Sequence, residues 1–122
     1  MIALLAPGQG SQSPGMLTPW LDDPEAEATL ARWSAAIGLD LHRLGTSAGA
    51  EEIKDTAVTQ PLVVAAALLA ARRLDVPPGT PVAGHSVGEL AAAAIAGVLD
   101  AADPRDALVL RTAVIVGRLD DQ

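Results

Sequence analysis

The sequence predicts an α/β fold in which a partial parallel sheet is flanked by helices, and three observations carry that reading. Residues 2–6 are apolar on both faces and stop at Pro7-Gly8, the pattern of a strand buried on both sides. A second short apolar run, residues 81–83, leads into Gly84-His85-Ser86-Val87-Gly88. Between them lie helical patterns, and strands separated in this way pair in parallel, because a parallel neighbour is reached only through a long crossover.

The elements follow in order. After the first strand comes the loop Pro7-Gly8-Gln9-Gly10-Ser11-Gln12-Ser13-Pro14-Gly15. Residues 25–37 set Ala28, Ala31, Ala35 and Trp33 among charges and read as an amphipathic helix. Residues 40–44 add a short helical turn, 46–49 a loop and 51–55 a polar start. Residues 60–74 read as a long buried helix, with Pro61 tolerated only in its first turn. The prolines and glycine of residues 76–81 break it before the second strand. From Ser86 the chain reads as a helix to about residue 96, with Gly97 as the stop. Residues 103–119 are ambiguous, since Asp103-Pro104 is a helix start and the length favours helix while Val114-Ile115-Val116 is β-branched.

Composition narrows the function. At 122 residues the chain is one domain or part of one. Half of it is hydrophobic, yet Trp20 and Trp33 are its only aromatics, so the core is expected to be built from Ala, Leu, Val and Ile. A net charge of −7 and a single lysine, Lys54, argue against nucleic acid and anionic membrane as partners. The absence of cysteine excludes a disulfide framework, a thiolate nucleophile and a Cys-based metal site, and with no targeting signal it fits a cytoplasmic protein. The apolar run 62–71 is about half a membrane span and ends at Arg72-Arg73.

The G-x-S-x-G at 84–88 is the pattern by which a sharp strand-to-helix turn presents a serine nucleophile, here Ser86. Ser86 and Glu89 also fit a capping box, in which the serine satisfies an orphan N–H and does no chemistry. A serine at a helix start feels the positive end of the helix dipole, which favours the oxyanion of acyl transfer. The N–H of Val87 is then one oxyanion donor, and the glycine-rich loop offers Gln9 as the second. That loop is not a phosphate cradle: it has no Gly-Lys-Ser/Thr, and the third glycine of a dinucleotide fingerprint falls on Ser13. Arg111 stands in the largely apolar stretch 107–116, either pairing with a substrate carboxylate or snorkelling to the surface. His42 and His85 are the only histidines, and neither is placed as a base.

Three motifs in register, Pro7-Gly8-Gln9-Gly10-Ser11-Gln12, Thr59-Gln60-Pro61 and Gly84-His85-Ser86-Val87-Gly88-Glu89, resemble the N-terminal part of the malonyl-CoA:acyl carrier protein transacylases and of polyketide synthase acyltransferase domains. Ala96-Gly97-Val98-Leu99 also matches. The resemblance implies the large subdomain of the acyltransferase fold, with Ser86 taking malonyl from coenzyme A as an ester and passing it to the phosphopantetheine thiol of acyl carrier protein. It implies Gln9 and Val87 as oxyanion donors, and Gln60, His85 and Arg111 as substrate-binding residues, with Arg111 on the malonyl carboxylate. No bound cofactor and no metal are implied, the coenzyme A thioester being a substrate.

The family usually has glycine directly after its arginine, whereas Thr112 follows Arg111 here, which makes Arg118 the fallback. The resemblance also places the family's catalytic histidine, its small ferredoxin-like subdomain and its last strands beyond residue 122. Residues 1–122 are therefore expected to be the N-terminal part of a single acyltransferase domain, a poor catalyst alone. Two other readings share the residues: an α/β-hydrolase-like thioesterase or esterase, and a non-catalytic truncated remnant.

Overall fold

The computed structural model describes residues 3–74, 79–85 and 88–95. Strand β1 spans Leu4–Ala6 and β2 spans Val82–Gly84. They pair in parallel with Leu4 opposite Val82, Leu5 opposite Ala83 and Ala6 opposite Gly84, the α/β arrangement that the crossover argument anticipates. Between them come α1 (Pro24–Ile37), α2 (Leu41–Thr46), α3 (Ala50–Ile53) and α4 (Thr56–Arg73), and α5 (Gly88–Ile95) follows β2. A 3-10 turn at Thr18–Trp20 precedes α1. The expected stop at Gly97 and the segment 103–119 lie outside the described residues, as do residues 76–78 of the break at 76–81.

Helix starts are set by aspartates. Asp23 accepts from the Glu25 N–H at 3.0 Å and is followed by Pro24, whose missing N–H costs nothing in the first turn. Asp40 caps α2 through the Arg43 N–H at 3.1 Å, and Asp55 caps α4 through the Ala57 N–H at 3.1 Å. Gly38 ends α1 in the left-handed conformation, φ 72°, which glycine adopts without strain.

Three local expectations are corrected. Helix α4 begins at Thr56, well before Gln60, so Pro61 stands inside the helix and not in its first turn. Asp55 fixes that earlier start: its carboxylate takes the Ala57 N–H and its carbonyl the Val58 and Thr59 N–H groups, while the Thr59 hydroxyl bonds the Ile53 carbonyl. In α1 Trp33 is buried as expected, but its inward partners are Thr29 and Leu30, while Ala28, Ala31 and Ala35 are exposed. The bulkier Leu30 and Trp33 bury more apolar surface than alanines can, and they set the rotation of the helix. Strand β1 is not buried on both sides, since Leu5 is 80% exposed: among the described residues only one face of the two-stranded sheet is covered at that position.

The core joins Leu17, Leu30, Trp33, Leu41, Leu44 and Ile53 to the buried face of α4, with Leu62, Val64, Leu68 and Leu69, and to Ala91 of α5. The aliphatic composition expected from the sequence holds, with Trp33 added. Helix α5 packs on both strands and on α4, and the small side chains of Ala91 and Ala92 allow that close approach. At the far end of α4, Arg72 lies over the Trp33 ring and Arg73 over the Trp20 ring, each 5.4 Å from the centroid. Arg73 also pairs with Asp22 and donates to the Trp20 carbonyl. An apolar groove of about 300 Å³ runs beside β1, lined by Leu4, Leu5, Met16, Ala67, Leu74 and Ile95 among others. No described helix is long and apolar enough to cross a membrane.

Candidate active site

The two strands deliver their C-terminal ends side by side, and the chain leaves each through a tight turn. After β2 the His85 N–H donates to the Ala6 carbonyl at 3.0 Å, and the Gly88 N–H donates to the His85 carbonyl at 3.0 Å. A Cβ added to Gly84 would overlap the Gly88 carbonyl and the Glu89 nitrogen; one added to Gly88 would overlap the carbonyls of Ala6 and Pro7. Both glycines are therefore steric requirements, the first closing the turn and the second seating the start of α5 on the end of β1. Ser86 and Val87, the two residues between His85 and Gly88, lie outside the described residues.

The loop after β1 wraps the same place. Its Gly8 carbonyl accepts from both the Ser11 hydroxyl, at 2.7 Å, and the Ser11 N–H, at 3.3 Å. The Gly10 N–H donates to the Gln12 side-chain carbonyl at 2.8 Å, with Gly10 at φ 107°. Among the described residues the backbone N–H of Gln9, between these two satisfied groups, has no hydrogen-bond partner. The Gln9 side chain turns back onto α4, where its Nε2 donates to the Thr56 hydroxyl at 3.1 Å and its Oε1 faces Gln60 Nε2 at 3.5 Å. Gln60 is buried, 1% exposed, beneath Gln9. A glycine-flanked peptide with an unengaged N–H, beside a helix start, is an arrangement suited to holding an anionic oxygen.

The acyl transferase domain pattern matches residues 4–118, which is nearly the whole chain. The chain belongs to the acyl transferase domain family. It is 63% identical over 108 residues to the malonyl CoA-acyl carrier protein transacylase of Mycobacterium tuberculosis, covering 84% of this chain and 36% of that protein. Among solved structures it resembles MCAT from Mycobacterium tuberculosis, with a TM-score of 0.82 at 56% identity over 97% of this chain and 40% of that one. It also resembles a malonyl-transacylase solved in complex with its type II polyketide synthase acyl-carrier protein, with a TM-score of 0.81 at 35% identity over 96% of this chain and 38% of that one. The chain thus spans about a third of the length of the curated relatives it matches.

Within this acyl transferase domain the structure brings Gln9 and Gln60 together and places His85, exposed, at the mouth of the turn after β2. Ser86, Val87, Arg111 and Arg118 lie outside the described residues. His42 is elsewhere, on α2, with its Nε2 3.4 Å from Glu27 of α1. No cluster of His, Asp and Glu able to hold a metal ion occurs among the described residues. Thr56 is the contact that sequence reasoning missed. Its signal was Asp55 as an N-cap, which puts Thr56 on the first turn of α4 instead of in a linker.

Proposed function

We propose that this chain is the N-terminal part of a malonyl-CoA:acyl carrier protein transacylase, with Ser86 as its nucleophile. The observation that carries the reading is the seating of Gly88 against Ala6 and Pro7, which sets the loop bearing the unengaged Gln9 N–H beside the G-x-S-x-G turn. Identity of 63% to transacylases supports the substrate class.

In this reaction Ser86 Oγ attacks the thioester carbonyl of malonyl-CoA and gives up its proton to a base. The resemblance implies a histidine for that base, from the part of such enzymes beyond the matched third. The tetrahedral oxyanion accepts hydrogen bonds from the N–H groups of Gln9 and Val87. Collapse expels the coenzyme A thiolate, which is protonated, and leaves a malonyl ester on Ser86. The phosphopantetheine thiol of acyl carrier protein then attacks that ester, through the same oxyanion site, and Ser86 regains its proton. Arg111 pairs bidentately with the malonyl carboxylate, His85 flanks the substrate, and Gln60 supports the pocket from beneath Gln9. Malonyl-CoA and acyl carrier protein are the partners, and no cofactor takes part.

The reading is tested by incubating the protein with malonyl-CoA and locating the adduct by mass spectrometry. A malonyl increment on the peptide holding residues 84–89, absent in Ser86→Ala, is the expected result. An increment that persists in Ser86→Ala rejects Ser86 as the nucleophile.

A further inference from the structure

Among the described residues the N–H of the peptide joining Gly8 to Gln9 has no hydrogen-bond partner, and Gln9 has glycine on both sides. Glycines leave the backbone free to rotate, so nothing in the local sequence fixes which way this N–H points. Two side chains fix it instead. In a trans peptide the N–H and the preceding C=O point in opposite directions. Ser11 therefore sets the Gln9 N–H direction by holding the Gly8 carbonyl at 2.7 Å through its hydroxyl. From the other side, Thr56 holds the Gln9 side chain at 3.1 Å, with Gln60 at 3.5 Å behind it.

We propose that Ser11 and Thr56 are positioning residues that clamp the Gly8–Gln9 peptide so that the Gln9 N–H meets the acyl oxyanion. The proposal rests on the acyl-transfer reading of the site. Neither residue touches the reacting atoms; each acts through the orientation of one peptide plane. An oxyanion donor works because it is aimed before the charge develops, so loosening the clamp lowers the rate of the covalent step and leaves donor binding alone.

The test compares the full-length protein with its Ser11→Ala and Thr56→Val variants, which lose the hydroxyls, and with Ser11→Thr and Thr56→Ser, which keep them. Deuterium exchange of the loop, residues 7–12, and the rate of malonyl loading on Ser86 against malonyl-CoA concentration are both read by mass spectrometry. For each hydroxyl-free variant we expect exchange in the loop to rise about tenfold and the maximal loading rate to fall about tenfold, less than the hundredfold or more that follows loss of a whole oxyanion donor. The half-saturating concentration stays where it was, and the hydroxyl-bearing variants recover wild-type behaviour within about twofold. Unchanged loop exchange in Ser11→Ala and Thr56→Val overturns the proposal. A loss shared by the hydroxyl-bearing variants, or carried in the half-saturating concentration, overturns it too. A full-length wild-type protein that takes no malonyl on Ser86 rejects the acyl-transfer reading, and the exchange measurement then still decides whether the two hydroxyls clamp the loop.

Discussion

The carbonyl of Ala6, the last residue of β1, occupies the space that a side chain on Gly88 would need. The Pro7 carbonyl closes the same space from the next peptide. This contact and the hydrogen bond from the His85 N–H to the Ala6 carbonyl join the end of β1 and Pro7 to the start of α5.

Replacing Gly88 with alanine forces backbone against backbone, where no rotamer change can relieve the overlap. We expect Gly88→Ala to destabilise the chain by about 1–3 kcal/mol, as overpacking of a close-packed interior does, and to push the start of α5 away from the Gln9 loop. Urea unfolding followed by circular dichroism reads the first effect. A midpoint equal to wild type would show that the two backbones are not in contact in solution.

The family resemblance implies Arg111 as the partner of the malonyl carboxylate, and we propose that role for it; a bidentate charge-assisted pair would distinguish a dicarboxylic acyl group from a neutral one. Arg111→Ala is expected to reduce the preference for malonyl-CoA over acetyl-CoA in Ser86 loading by about 10- to 100-fold, the equivalent of losing a charged hydrogen bond. Loading rates with the two donors, compared in one experiment, give the ratio. If the ratio does not move, Arg118 becomes the residue to replace.

Arg43 grips Glu52 through both guanidinium nitrogens, at 2.8 and 2.6 Å. These hydrogen bonds hold the Glu52 carboxyl below its ordinary value of 4.5. The folded chain thus binds that proton less readily than the unfolded one, so the pair's contribution is complete above the ordinary glutamate range and is lost as pH falls through the lowered value. Both side chains are about half exposed, which keeps the effect small and sensitive to salt. Thermal melts between pH 7 and pH 3 should show Glu52→Gln losing slightly less stability on acidification than wild type does. A variant that loses as much as wild type would assign no stability to the pair.

Much of the site was legible in the sequence because its parts are backbone devices with residue signatures. Gly84 and Gly88 mark a turn that no larger residue fits, the Gly8-Gln9-Gly10 run marks an exposed peptide, and Pro7 marks the end of a strand. The Asp23, Asp40 and Asp55 caps emerge from the structure, and the cap at Asp55 explains why α4 runs through Pro61.

By itself the sequence determined the α/β class, the parallel relation of the two strands, the family motifs and the candidate residues, because these follow from local periodicity, turn chemistry and motif spacing. Tertiary structure alone decided which face of α1 is buried, that Leu5 stands exposed, and that Thr56 meets Gln9 across the fold. Helix rotation is settled by which bulky side chains find partners, and a hydrogen bond between residues far apart in sequence exists only once packing has brought the loop onto the start of α4. Neither leaves a periodic trace in the chain.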